Sequence, residues 1–234
     1  IKNNIFTTII FLCKCFKSKS TFMKIKFFNI LFLLVSISMY SQAGNVVVQN
    51  ENNQFKLVVD GKDFMVNGMN WDYFPRGTNY SFDFWNQSDD FIIAALDSEM
   101  GLLKNMGVNT IRSYTGIQPK WVQYIYENYG IHTILNHPFG RYGLTLDGAW
   151  VPVTDYSNPA VRELLMSEIT ALAEEFKNTP GLLMFLLGNE NNYGLFWAGA
   201  ETEDFPDEED QIRAVGENRG RPMYKLMNDA AIAI

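Results

Sequence analysis

Between residues 69 and 190 the chain alternates short apolar runs with longer stretches of helical periodicity, and this rhythm limits the folds open to it. A strand-like MNWDY (69–73) comes first. Apolar spacing then predicts a helix over about 90–106, stopped by Gly107, and a strand over 108–115. The next helix starts near Pro119 and is closed by Gly130; proline at the start and glycine past the end is the order helix chemistry prefers. A strand over 131–139, a loop over 140–158 and an amphipathic helix over about 159–177, N-capped by Asn158, follow. After the break at 178–181, LLMFLLGNE (182–190) is nearly continuously apolar, as in a strand buried on both faces. Upstream, 46–48 and 55–68 with Asp60-Gly61 between alternating runs predict a short β-hairpin.

Strand–helix alternation of this kind implies parallel strands joined by right-handed crossovers, in a doubly wound sheet or a (β/α)8 barrel. No glycine-rich phosphate turn follows the first strand, where NWDYFPRG stands, so a nucleotide-dependent α/β enzyme is disfavoured. Polar residues gather instead at the C-terminal ends of the strands: Trp71-Asp72, Arg112-Ser113-Tyr114, Asn136-His137 and Asn189-Glu190. Barrel enzymes place their chemistry there. The expected fold class is therefore α/β, a (β/α)8 TIM barrel preceded by a short β-hairpin. A full barrel takes about 250 residues, whereas 171 run from Phe64 to Ile234, and a helix is still in progress at 230–234. About the first half of the barrel is expected, in one domain over 44–234.

Charge narrows the partners. Six of the 19 basic residues are lysines within 1–43, a stretch without acidic residues, which leaves 13 basic against 26 acidic side chains, a net of −13, in 44–234. Such a surface repels phosphate backbones, so no nucleic-acid partner is expected. Both cysteines, Cys13 and Cys15, lie near the N-terminus, and the two histidines are His132 and His137. Neither a metal site nor a cofactor is expected. Met23 opens a segment with Lys24 and Lys26, an apolar run of about 14 residues, short for a membrane span, and the small pair Ser41 and Ala43. This pattern is that of a secretory signal peptide over 23–43, with 1–22 as upstream translated sequence and no stable membrane anchor after cleavage. A secreted or periplasmic protein is expected.

Among residues that can carry chemistry, Glu190 ends the most apolar strand. Partial burial there would favour the protonated form a general acid needs. Asn189 offers a donor and an acceptor to a hydroxyl beside the reacting centre. The competing reading is turn chemistry at Gly188-Asn189 with Glu190 capping the next helix.

The run LLGNENN at the end of the fourth strand resembles the acid/base signature of the retaining (β/α)8 glycoside hydrolases of clan A. FMVNGMNWDYFP, LLKNMGVNTIRSYT and YGIHTILNHPFG resemble, in order, further parts of the catalytic domain of glycoside hydrolase family 2. The resemblance covers about 55–234. It implies Glu190 as general acid/base, Asn189 as the residue binding the sugar 2-hydroxyl, and Arg112 as the arginine that orients the nucleophile. The alternative for Arg112 is an ion pair with an acidic neighbour on the rim. Family 2 enzymes carry two β-domains before the barrel, whereas about 20 residues precede the first barrel strand here, so family 5-like and glucanosyltransferase-like relatives fit as well. The nucleophile of that clan ends the seventh strand, so a chain holding only the first half is expected to be inactive alone.

Trp71, Tyr73, Tyr114, Phe139, Tyr142, Trp150, Tyr193, Phe196 and Trp197 cluster at or after strand ends. Aromatic faces stack on sugar C–H faces, although core and loop packing accounts for most such residues. Trp71 and Trp197 stand out for their place beside strand ends. With Asp72, Tyr114, Asn136 and His137 they complete the expected substrate-binding set. His132, at the opposite end of its strand, reads as structural. The acidic run 201–210 lacks calcium-loop spacing and reads as a solvated loop. The expected function is hydrolysis of a β-linked glycoside or polysaccharide with retention. A secreted carbohydrate-binding or β-glucan-transglycosylating protein of the same fold is the alternative.

Overall fold

The computed structural model describes residues 44–114, 116–191 and 209–234, the last segment with side chains from Asn218 onward. The regions read as signal peptide and upstream sequence, together with Tyr193, Phe196, Trp197 and residues 201–208 of the acidic run, lie outside the described residues.

An antiparallel sheet, ordered β1-β2-β3, opens the described chain: β1 (Val46–Glu51), β2 (Gln54–Val59) and β3 (Lys62–Asp63). Two tight turns make it. Asn52-Asn53 (φ 54° and 61°) joins β1 to β2, and Asp60-Gly61 (φ 51° and 78°) joins β2 to β3. Both central residues of each turn adopt positive φ, the geometry whose twist matches that of the flanking strands. The hairpin expected at Asp60-Gly61 is present, and the Asn-Asn turn adds a second.

The remainder is a mixed α/β arrangement on a parallel sheet. It contains β4 (Gly68–Asn70), α1 (Asp89–Asn105), β5 (Thr110–Tyr114), α2 (Pro119–Tyr129) and β6 (His132–His137). Then come β7 (Leu144–Leu146), β8 (Ala149–Val151), α3 (Pro159–Phe176), β9 (Leu182–Leu187) and α4 (Glu209–Ala233). Strands β4, β5, β6 and β9 lie side by side in chain order, every pairing parallel. β7 and β8 pair as a hairpin within the stretch expected to be loop. Its turn, Asp147-Gly148, also has two positive φ values.

Local chemistry sets the helix limits. Ser88 accepts from the Phe91 N–H and caps α1, with Asp89 and Asp90 in the first turn against the positive end of the helix dipole. Asn158 caps α3 by accepting from the Ala160 N–H, and Gly130 ends α2 in the left-handed conformation at φ 69°.

The buried stripe of α1 (Ile92, Ala95, Leu96, Met100, Leu103) and that of α2 (Trp121, Val122, Ile125) meet Ile111 and Leu135 of the sheet. Each fully buried aliphatic side chain of this kind contributes about 1.5–3 kcal/mol. Tyr124 and Tyr129 of α2 both donate to one oxygen of Asp97 on α1 at 2.6 Å, which holds that carboxyl below its ordinary range and pushes the Tyr124 phenol up to about 12. A second core joins Phe139, Leu144 and Tyr156 to Val161, Leu165 and Ile169 of α3 and to Met223, Leu226 and Ala230 of α4.

Because strand residues alternate sides, Ile111, Ser113 and Leu135 face the helices, whereas Arg112, Tyr114 and Asn136 share the other face. One expectation is corrected here. β9 is not buried on both faces: Leu183 alone is fully covered, and its other residues are half-buried. Among the described residues β9 is the last strand of its sheet, so one edge has no neighbouring strand to cover its side chains.

Candidate active site

Arg112, Asn136 and Asn189 meet at the C-terminal ends of three adjacent parallel strands. The Arg112 Nε donates to Asn136 Oδ1 at 2.8 Å, and one terminal nitrogen donates both to that same oxygen and to Asn189 Oδ1, the latter at 2.8 Å. The guanidinium also lies over the Tyr114 ring, 5.1 Å from its centroid. Register explains the meeting. Tyr114 pairs with Asn136, so Arg112 stands two residues back on the same face, within reach of the next strand end. The rim-ion-pair alternative for Arg112 is not what is found, since its hydrogen-bond partners among the described residues are amide oxygens. Hydrogen bonds from a charged donor are each worth about 1.5–3 kcal/mol.

Asn189 is held at three points. Besides the Arg112 bond, its Nδ2 donates to the Tyr142 hydroxyl at 2.9 Å and its backbone N–H to Asn191 Oδ1 at 2.6 Å. Glu190 follows with a left-handed backbone (φ 55°) and an exposed side chain. The partial burial expected for Glu190 is absent. Past Leu187 the backbone turns at Gly188 (φ 94°) and again at Glu190, which lifts the carboxylate off the sheet into solvent.

Alternation decides the fate of two other expected residues. Trp71 continues the ladder by donating its N–H to Arg112 O, one step beyond the Asn70–Arg112 pair, so its side chain points to the helix side. There it is buried against Phe84 and Trp85, a core residue rather than a sugar platform. Asp72 is exposed, yet nearby protein displaces enough water to raise its carboxyl above the ordinary range. His137, adjacent to Asn136, likewise turns to the helix side. Its Nδ1 accepts from the Phe139 N–H at 3.1 Å, and its Nε2 lies 3.5 Å from a Glu168 oxygen on α3. Asn136 itself is fully buried, and its Nδ2 has no protein partner among the described residues.

Tyr142 as a partner of Asn189, together with Asn191 and Tyr156, was not singled out from sequence. The repeated asparagines of NENN were the only available signal for Asn191. Tyr142 and Trp150 are among the exposed large aromatics, while Phe139 is fully buried. Among the described residues no group of three or more His, Cys, Asp or Glu side chains is placed to hold a metal ion. None of the described helices is long and apolar enough to cross a membrane.

Burial depresses the pKa of both histidines, His132 packed between the Phe64 and Tyr126 rings and His137 beneath the sheet end. Below the ordinary value of 6.5 the unfolded chain therefore takes up protons that the folded chain refuses. Their contribution is complete above 6.5 and falls as the pH drops through that value toward the depressed folded ones. Burial of Glu168 raises its pKa and acts with opposite sign at lower pH, toward 4.5. Urea unfolding from pH 7.5 down to about 6 is expected to show declining stability. His137→Asn, whose Oδ1 can take the Phe139 N–H, should flatten that slope, and a stability independent of pH in wild type would refute the assignment.

The chain is mixed α/β with its polar cluster at the C-terminal edge of a parallel sheet, and comparison with known proteins adds the following. No protein-family profile matches it. Over 137 residues, 56% of this chain, it is 31% identical to a probable 1,3-beta-glucanosyltransferase of Saccharomyces cerevisiae, of whose length it spans 24%. Among solved structures, 78% of the chain overlays 19% of a beta-glucuronidase of Parabacteroides merdae, with a TM-score of 0.43 and 18% identity. An exo-chitosanase of Amycolatopsis orientalis overlays 80% of this chain with 18% of its own, at a TM-score of 0.42 and 16% identity.

Proposed function

We propose that this protein is an exported, retaining glycosidase-type enzyme acting on β-linked glucans or related glycosides. In this reading residues 23–43 are its signal peptide, and 44–234 contribute the first four strands of a (β/α)8 catalytic barrel. Glu190 is the general acid/base, Asn189 binds the sugar beside the reacting bond, and Arg112 orders the site. The observation that carries the reading is the convergence of Arg112, Asn136 and Asn189 on neighbouring strand ends, with Glu190 exposed next to them. A side-chain amide held at both its oxygen and its nitrogen presents a defined contact to a hydroxyl, and an exposed carboxyl at the next residue can reach a glycosidic oxygen. Retention requires a second carboxylate about 5 Å from the first, which attacks the anomeric carbon while Glu190 protonates the leaving oxygen. Water, activated by Glu190 in its basic form, then releases the sugar.

Transglycosylation is the second reading, and the 31% identity to a probable 1,3-beta-glucanosyltransferase favours it. The chemistry differs only in the acceptor, a sugar hydroxyl replacing water. Incubating the full-length protein with β-1,3-linked and β-1,4-linked oligosaccharides and weighing the products separates the outcomes. Only shorter products mean hydrolysis, whereas products longer than the substrate mean transfer. Binding without any new product would leave a carbohydrate-binding module and sink the enzyme reading.

A further inference from the structure

The turn that carries Asn189 and Glu190 is unusual in its backbone. Gly188 and Glu190 both adopt positive φ, and across from them Phe139 does so at φ 53°, in the turn after β6. A left-handed conformation costs a residue with a side chain about 1–2 kcal/mol, so two such residues facing each other need something to hold them. Asn191 sits between the two turns, buried to 5% exposure. Its Oδ1 accepts from the Asn189 N–H at 2.6 Å, and its Nδ2 donates to Phe139 O at 3.0 Å, Pro138 O at 3.2 Å and Tyr156 Oη at 3.0 Å. Tyr156 in turn donates to Phe139 O at 2.8 Å, closing a ring of bonds around that carbonyl. Burial raises the pKa of the Tyr156 phenol, so it remains a donor at neutral pH. Gly188 makes room for the arrangement: a Cβ there would collide with Asn191 Oδ1. Both polar atoms of the Asn191 side-chain amide are thus engaged within the protein.

We propose that Asn191 is a positioning residue that clamps the turn after β9 to the turn after β6, and so sets where Asn189 and Glu190 stand at the strand ends. The catalytic part of the proposal rests on the glycosidase reading; the structural part does not.

Two measurements on the full-length protein test it. In a crystal structure of Asn191→Ala, Glu190 is expected to leave the left-handed region and the Arg112–Asn189 bond to lengthen or break. Finding both unchanged overturns the clamp whatever the protein does. In kinetics, Asn191→Ala is expected to lower kcat about 30- to 100-fold on glycosides with poor leaving groups, with KM within about threefold, as a misplaced reacting group does. A purely structural role would instead lower the melting temperature and leave kcat per folded molecule intact, and that result also overturns the proposal. Glu190→Gln serves as the control. If it shows its leaving-group dependence while Asn191→Ala behaves as wild type, the clamp fails and the glycosidase reading survives; if Glu190→Gln shows none, the acid/base reading fails and the crystal structure alone judges the clamp. Should Asn191→Ala not fold, Tyr156→Phe removes two bonds of the same ring, the one its hydroxyl donates to Phe139 O and the one it accepts from Asn191 Nδ2. A smaller displacement of Glu190 in the same direction is expected there, and no displacement refutes the clamp.

Discussion

Glu190→Gln is expected to lower turnover of glycosides with poor leaving groups by about 10²- to 10⁴-fold, the range general acid–base catalysis supplies. Glutamine keeps the shape and removes the proton. An alkoxide or sugar leaving group has a high pKa and cannot depart without that proton, so the first step stalls. An activated aryl glycoside needs no such help. Its first-turnover burst of aryl alcohol should persist, with the steady state then limited by water attack, which also lacks its base. The exposed setting of Glu190 suits this role, because the leaving group must reach the carboxyl from solvent. Stopped-flow release of aryl alcohol beside steady-state rates on a disaccharide makes the comparison. Equal losses on both substrates would rule out acid/base duty for Glu190.

Arg112→Met is expected to cost about 2–4 kcal/mol of stability, since it deletes charge-assisted bonds to two amide oxygens and leaves Asn136 Oδ1 buried without a donor. The larger consequence falls on activity. Without the guanidinium fork, Asn189 keeps its bonds to Tyr142 and Asn191 but loses the one that ties it to β5 and β6. A displacement of order 1 Å at a substrate contact costs about 10²-fold in rate, and a loss of that size in kcat/KM is expected. Arg112→Lys should recover less than about tenfold of it, because a single ammonium on a flexible stem cannot reproduce a planar fork serving two oxygens and stacking on Tyr114. Full recovery by lysine would mean that charge alone is required, and the fork geometry would be refuted. Denaturant unfolding of both variants separates the stability loss from the kinetic one.

The order of elements was legible in the sequence because it depends on local chemistry. Apolar periodicity, the caps at Ser88 and Asn158, the glycine stop at Gly130 and the Asp60-Gly61 turn each act within a few residues. Strands separated by helices must run parallel, and so they do. The β7–β8 hairpin was hidden, since each strand has three residues, too few for a periodic signal. The gathering of Arg, Asn and Glu at the C-terminal ends of the strands was legible as well, since it follows from the order of residues within each strand. Which of two adjacent residues faces that site is a matter of register. A one-residue step moves a side chain to the other face, which is why Trp71 went to the core while Asp72 did not, and why His137 turned to Glu168 while Asn136 met Arg112.

What the sequence determined by itself was therefore the kind of chain: alternating strands and helices, an acidic surface, and polar residues reserved for one end of a parallel sheet. Tertiary structure decided the rest, namely the fork of Arg112 across three strands, the exposure of Glu190, and the bonding of Asn191 to Phe139, 52 residues away in the chain. Those outcomes depend on distances between segments far apart in sequence, and no local preference encodes such distances until the strands are paired and the register is set.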